Sequence, residues 1–156
     1  MESVTKSIDV ALPVQPVYNQ WTQFESFPQF MDGVEEVRQL DDKRLHWKAS
    51  IGGKTEEWDA EITEQHPDHR VAWKSTTGAR NGGVVTFHQI DPSNTRVTVQ
   101  MDYETDGVVE KVGDMLGAVD RKVQGDLERF KEFIEARGAS TGAWRGDIEN
   151  AADKRV

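Results

Sequence analysis

Four histidines carry the widest chemical range in this 156-residue chain, because an imidazole can ligate a metal or move protons near neutral pH. Their placement narrows that range. His46 and His88 fall on the polar side of alternating runs, and His66 and His69 flank the turn Pro67-Asp68, where a metal would need a third ligand that the sequence does not supply. No metal or other cofactor is expected. The chain has no cysteine, which removes disulfides, thiolate nucleophiles and cysteine-ligated clusters together. Glu56, Glu57, Asp59, Glu61 and Glu64 offer carboxylates for paired acid–base work, but strand alternation sends half of them to solvent. Gly138-Ala139-Ser140-Thr141-Gly142 matches the spacing of a nucleophile elbow, which requires a strand before the serine and a helix after it; here a helix precedes and a tail follows. Gly53-Lys54-Thr55 matches the end of a phosphate-binding loop, yet Lys48 stands where the leading glycine belongs. The remaining chemistry lies in hydroxyl and amide groups that share the inward phase of their strands, namely Ser75, Gln89 and Tyr103, with Tyr18 from a helix. Tyr103, Tyr18 and Gln89 are therefore the catalytic candidates, Tyr103 first.

The elements that must position these groups follow from turn chemistry. Asp41-Asp42, Gly52-Gly53, Pro67-Asp68, Asn81-Gly82-Gly83 and Asp91-Pro92-Ser93-Asn94 punctuate the chain into short alternating runs, predicting an antiparallel meander. The runs are Val34 to Leu40, Arg44 to Ile51, Thr55 to Glu64, Arg70 to Thr76, Val84 to Ile90 and Thr95 to Thr105, and Val4 to Leu12 makes a seventh strand. Period-two alternation places Leu45, Trp47, Ala49, Trp58, Ala60, Ile62, Val71, Trp73, Val85, Phe87, Val97, Val99, Met101 and Tyr103 on one face. The opposite face is polar. Pro13 and Pro16 exclude a central strand after the first run, and Val17, Trp21 and Phe24 recur at helical spacing before Pro28, predicting two short helices. Val112, Leu116, Val119, Val123, Leu127, Phe130 and Ile134 then repeat at three- and four-residue steps, predicting a long amphipathic helix that ends at Gly138. Gly113, Gly117 and Gly125 each cost that helix about 1 kcal/mol relative to alanine, so it needs an apolar surface to receive it. The inner face of the sheet is that surface.

The length suits one domain with a real core, and residues 139–156 read as a polar tail apart from Trp144 and Ile148. With 28 acidic against 19 basic side chains, the net charge of −9 has the wrong sign for phosphate-backbone binding, so no nucleic-acid partner is expected. The N-terminus alternates in polarity and resembles neither a signal peptide nor a membrane span, which with the missing cysteines suggests a cytoplasmic protein without an integral membrane segment.

A long helix across a curved seven-stranded sheet, with two short helices after the first strand, together with Phe27-Pro28-Gln29-Phe30-Met31, His46-Trp47, Trp58 with Ala60-Glu61-Ile62, Val71-Ala72-Trp73 and Leu127-Glu128-Arg129-Phe130-Lys131, resembles the START and polyketide cyclase/dehydrase superfamily, which also includes the birch-pollen allergen. The resemblance spans about residues 3–137 and looks closest to the bacterial cyclase/dehydrase-like branch. It implies an α+β helix-grip fold over residues 1–138 and a lipid- or aromatic-binding cavity between helix and sheet. Cyclases of this superfamily use a pocket arginine, but the strand that should carry it offers Ile62 on its inner face.

Trp47, Trp58, Trp73, Phe87, Met101 and Tyr103 are the expected pocket lining, with Met115 and Val119 from the long helix; the same aromatic residues would otherwise simply fill a core. Phe27, Phe30 and Met31 are expected either to form an apolar lid or to anchor their helix. The leading expectation is a protein that binds or carries a hydrophobic small molecule. The alternatives are an aromatase/cyclase acting on a poly-keto chain, and an interaction domain with a closed cavity whose Trp144 docks on a partner.

Overall fold

In a computed structural model, residues 2–51, 54–78, 80–103 and 112–149 are described, with the side chains at positions 2, 51, 54 and 112–119 left out. Seven antiparallel strands run β1 Glu2–Val10, β2 Val34–Gln39, β3 Arg44–Ile51, β4 Lys54–His66, β5 Arg70–Ser75, β6 Asn81–Asp91 and β7 Asn94–Tyr103. Their order in the sheet is β1-β7-β6-β5-β4-β3-β2, a meander in which the first strand closes against the last. Helix α1 covers Val14–Trp21, a short 3-10 helix covers Phe24–Gln29, and helix α2 covers Val112–Arg137. This is the helix-grip α+β arrangement that the sequence implies.

Helix α2 buries Val123, Leu127, Phe130 and Ile134, the second half of the apolar stripe read from the sequence, while the side chains of Val112, Leu116 and Val119 lie outside the described residues; the helix stops where Gly138 takes a positive φ of 70° and returns its N–H to Ile134 O at 2.9 Å. Its last turns are tied to the end of β1: Lys131 Nζ donates to Asp9 O at 2.8 Å, and Glu135 accepts the Ala11 N–H at 2.8 Å. Helix α1 sends Tyr18 and Trp21 inward, where Tyr18 meets Phe87 edge to face and Trp21 meets both Phe27 and Phe130. Phe30 closes this aromatic cluster against Phe130 and Phe133. The core is densest here, under α1 and the second half of α2.

Three local features depart from the sequence reading. Asn81-Gly82-Gly83 is the start of β6 rather than a turn, because these residues pair with β7 as far as Tyr103. In β4, a register shift between Ile62 and Glu64 inserts one residue, so the inward phase passes from Ile62 to Gln65, which is fully buried. A second bulge in β2 between Val34 and Glu36 brings both Val34 and Val37 inward.

Residues 139–149 run back over α1 and the β4–β5 turn. The Thr141 N–H meets Gln20 Oε1 at 2.8 Å, the Trp144 N–H meets Thr22 Oγ1 at 3.1 Å, and Ile148 exchanges two 2.7 Å backbone bonds with Gln65. Arg145 reaches Asn19 and Asp68 and lies 5.5 Å over the Tyr18 ring. Ile148 is buried, and Trp144 is half-buried against the core.

Candidate functional site: an indole platform on the inner sheet face

Trp47, Trp58 and Trp73 all occupy the inner face, on three adjacent strands. Trp47 and Trp58 are direct cross-strand partners, and their rings stack with centroids 5.9 Å apart and planes 5° from parallel. Trp73, the partner of both Ile62 and Gly83, packs its ring against Gly83. A Cβ at that glycine would sit 2.9 Å from Trp73 Cη2 and would collide with Gln100 O, so the strand carries no side chain where the indole crosses it. Trp73 Nε1 donates to Asn81 Oδ1 at 3.3 Å, which fixes the ring.

These indoles stand apart from the dense core. Trp58, Ala49 and Ala60 form a second buried cluster, joined to the first by the half-buried Trp47 and Trp73. Each indole of the stacked pair is followed two residues later by an alanine on the same face, so small side chains flank large flat ones. Met101 is half-buried on the same inner face, directly across from Gly83. Tyr103 is buried at the end of β7, opposite Asn81. The Trp47 Nε1 atom is buried and has no hydrogen-bond partner among the described residues.

The other site candidates fall elsewhere. Phe87 is buried among Tyr18 and Trp21, in the dense cluster rather than on the platform. Tyr18 is fully buried with its hydroxyl accepting from Gln65 Nε2 at 3.1 Å, and burial raises its pKa, which makes it a tie between α1 and β4. Gln89 corrects the inward expectation: it is exposed, lying next to a register shift in the part of β6 that runs past its pairing with β5, which ends at Thr86. Ser75 accepts the Asn81 N–H at 3.1 Å and so supports the residue that holds Trp73. The side chains of Met115 and Val119 lie outside the described residues.

Phe27 and Phe30 are both 2% exposed and Met31 is half-buried. Phe27 connects the dense core to the platform, with its ring 5.7 Å from that of Trp47. The backbone just after it is clasped by α2 in a manner the sequence did not disclose. Arg129 Nε donates to Phe30 O at 2.9 Å, and Asp126 Oδ1 accepts both the Asp32 N–H at 3.0 Å and Arg129 Nη2 at 2.6 Å. Lys122 Nζ completes the group at 2.7 Å from Asp126 Oδ2. Gly125 leaves room for it, since a Cβ there would stand 3.2 and 3.3 Å from the two terminal guanidinium nitrogens. The i, i+4 spacing of Gly125 and Arg129 was the available signal.

On the outer face, His46 lies between two carboxylates, with Nδ1 2.6 Å from Asp59 and Nε2 3.1 Å from Glu57. These hydrogen bonds, Asp59 first, raise its pKa. His66 meets Asp147 at 2.5 Å, linking the β4–β5 turn to the returning segment. Two clefts open to solvent among the described residues. One is lined by His66, Pro67, His69, Arg70 and Asp147, the other by residues 74–78 with Arg80 and Asn81. Among the described residues no cluster of His, Asp or Glu is arranged to hold a metal ion, and no helix is long and apolar enough to cross a membrane.

Residues 10–132 match the family described as polyketide cyclase/dehydrase and lipid transport. An uncharacterized 17.2 kDa protein of Streptomyces lincolnensis is 57% identical over 149 residues, which is 95% of this chain and 99% of that one. A solved structure from Deinococcus radiodurans is 27% identical with a TM-score of 0.69, covering 88% of this chain and 99% of the other. The Zhui aromatase/cyclase of a Streptomyces species superposes with a TM-score of 0.76 at 16% identity, over 92% of this chain and 99% of that enzyme. A START superfamily protein of Mycobacterium smegmatis gives 0.66 at 16% identity, over 81% and 97% of the two chains. The last two are likenesses of fold.

Proposed function

Because the chain belongs to the polyketide cyclase/dehydrase and lipid transport family, we propose that it binds or carries a hydrophobic small molecule, a lipid, isoprenoid or aromatic polyketide-like compound, between helix and sheet. The observation that carries this reading is the separation of the indole platform from the dense core. A sheet built only to be filled would have Trp47 and Trp73 fully buried, yet both stay half-buried while the aromatic cluster under α1 is closed. Flat apolar ligands gain most from such walls, because stacked or edge-on aromatic contacts add about 0.5–1.5 kcal/mol beyond area burial. Trp47, Trp58, Trp73, Met101 and Tyr103 are the proposed lining, and Phe27, Phe30 and Met31 the proposed lid, held shut by Arg129 and Asp126.

The test is native mass spectrometry of the freshly purified protein, followed by organic extraction and identification of whatever it releases. A co-purified hydrophobic compound, or saturable quenching of tryptophan emission by added aromatic compounds, is the expected result. A protein that releases nothing and whose emission no such compound changes would refute the reading.

The position of Tyr103 favours one alternative, an aromatase/cyclase. It is the buried hydroxyl-bearing residue at the platform end of β7, where it could polarise a carbonyl of a poly-keto chain that the pocket shape has folded. Conversion of a poly-keto substrate, lost in Tyr103→Phe with the fold intact, would establish that activity.

A further inference from the structure

We infer that residues 139–149 are an exchangeable strap, and that the groove they fill, made by α1, the β4–β5 turn and the end of β4, accepts the same segment from a second copy of the chain. The product is a two-fold symmetric dimer in which each copy straps the other. This goes beyond ligand binding and does not depend on it.

The groove is shaped to hold backbone. The last β3–β4 pair is Arg44 with Glu61, so Gln65 lies beyond it, and its N–H and C=O are matched instead by Ile148 at 2.7 Å each. Nearer α1, Gln20 Oε1 and Thr22 Oγ1 accept the N–H groups of Thr141 and Trp144. Gln20, Thr22 and Gln65 are three of the four buried polar residues among the described ones, and all three bond the main chain of this one segment. Recognition by strand addition works in this way, with main-chain bonds giving affinity and side chains giving specificity. Here Arg145 donates to Asn19 Oδ1 at 2.5 Å and Asp68 Oδ2 at 2.7 Å and lies over the Tyr18 ring, while Asp147 meets His66. An occupant must therefore bring a basic residue, an acidic one two positions later and an aliphatic one after it. A second copy brings Arg145, Asp147 and Ile148 in that register.

Two features make the strap detachable. Its floor is mostly polar, with Asn19, Gln20, Thr22, Gln65, His66 and Asp68 all bonded to it, and contacts that form and part reversibly are polar in this way. Its connector is held by one residue: Gly138 turns the chain with φ at 70°, a Cβ there would meet nothing within 4 Å, and Ala136 to Ala139 are exposed. The turn thus rests on the conformation of glycine rather than on packing, and continuing α2 past it carries the strap away from its own groove. Every strap contact is remade between copies in the dimer. A segment on a short connector meets its own groove at an effective concentration of about millimolar, so a second copy competes with it in that range.

The experiment mixes ¹⁵N-labelled and ¹³C-labelled copies of the full-length wild type at millimolar concentration. The Gln65 amide of one copy should give an isotope-filtered NOE to the Ile148 methyl groups of the other. Gly138→Ala then tests the connector. Alanine disfavours the left-handed turn about tenfold, and a dimer relieves two such turns, so the association constant measured by sedimentation should rise about a hundredfold. A wild-type mixture without the NOE between copies overturns the inference, and so does an association constant that Gly138→Ala leaves unmoved. If Gly138→Ala does not fold, the wild-type NOE decides alone.

Discussion

Replacing Gly125 with alanine tests whether the clasp on the Phe30–Asp32 backbone is an energetic unit. In an ordinary helix interior this substitution stabilises by about 1 kcal/mol, through reduced backbone entropy in the unfolded chain. Here the new methyl would stand 3.2 and 3.3 Å from the Arg129 guanidinium nitrogens, so the guanidinium has to move by a few tenths of an ångström or more. It is held on two sides, by Phe30 O at 2.9 Å and Asp126 Oδ1 at 2.6 Å. A charged donor on a part-buried carbonyl contributes about 1.5 kcal/mol, and the i, i+3 ion pair, with Arg129 44% exposed, about 0.4 kcal/mol. Losing both outweighs the helix gain, so Gly125→Ala should be destabilising by about 1 kcal/mol in the wild-type background. In Arg129→Ala the clash and the clasp are both gone, and the same substitution should stabilise by about 1 kcal/mol. Urea unfolding of the four proteins, with unchanged m values, gives the coupling directly, at about 2 kcal/mol. Equal effects of Gly125→Ala in the two backgrounds would show that Arg129 is free to swing aside and that the clasp does not hold the segment.

Ile148→Ala should cost about 2 kcal/mol in urea unfolding, because Ile148 is 5% exposed and its backbone pairs with buried Gln65; a loss under about 0.5 kcal/mol would mean that residues 139–149 add nothing to the fold. Gly83→Ala should destabilise by about 2 kcal/mol or more and alter tryptophan emission, since the methyl meets Trp73 and the Gln100 carbonyl; unaltered emission would contradict the placement of that indole. The raised pKa of His46 gives stability that is complete below the unfolded imidazole value of about 6.5 and is lost as pH rises through the folded value. The stability difference between wild type and His46→Gln should accordingly shrink as pH rises above about 6.5, and a difference independent of pH would refute the assignment.

The strands and α2 were legible because each rests on a signal that the chain repeats. Trp47, Trp58 and Trp73 alternate with polar neighbours, and Val123, Leu127, Phe130 and Ile134 recur every three or four residues, so burial of one face is written several times over. What was not legible depends on single residues whose partners are far along the chain. The bulge after Ile62 has no composition of its own, yet it turns Gln65 inward and so gives both Tyr18 and Ile148 their attachment points. Asn81-Gly82-Gly83 has the composition of a turn, and only the indole lying on Gly83 explains why a strand carries it. Gln89 had the correct phase, but phase alone does not say where along a strand the core ends.

The same contrast bears on where a ligand would be accommodated. Tyr18, Trp21, Phe24, Phe27, Phe30 and Phe130 are buried in one closed aromatic cluster at the end covered by α1 and the returning residues 139–149. That end tolerates little change in volume, since close-packed aromatic rings leave no slack. The platform end follows a different rule: beside the buried Ala49, Trp58 and Ala60, the large faces of Trp47 and Trp73 stay half-buried. Half-exposed aromatic surface is costly to a protein selected for stability alone and useful to one that covers it with a bound molecule. A ligand at the platform should therefore raise the unfolding midpoint and with it the protection of globally exchanging core amides, and should move the indole signals of tryptophans 47, 58 and 73 while leaving the ring signals of Phe130 in place, because those contacts are already made.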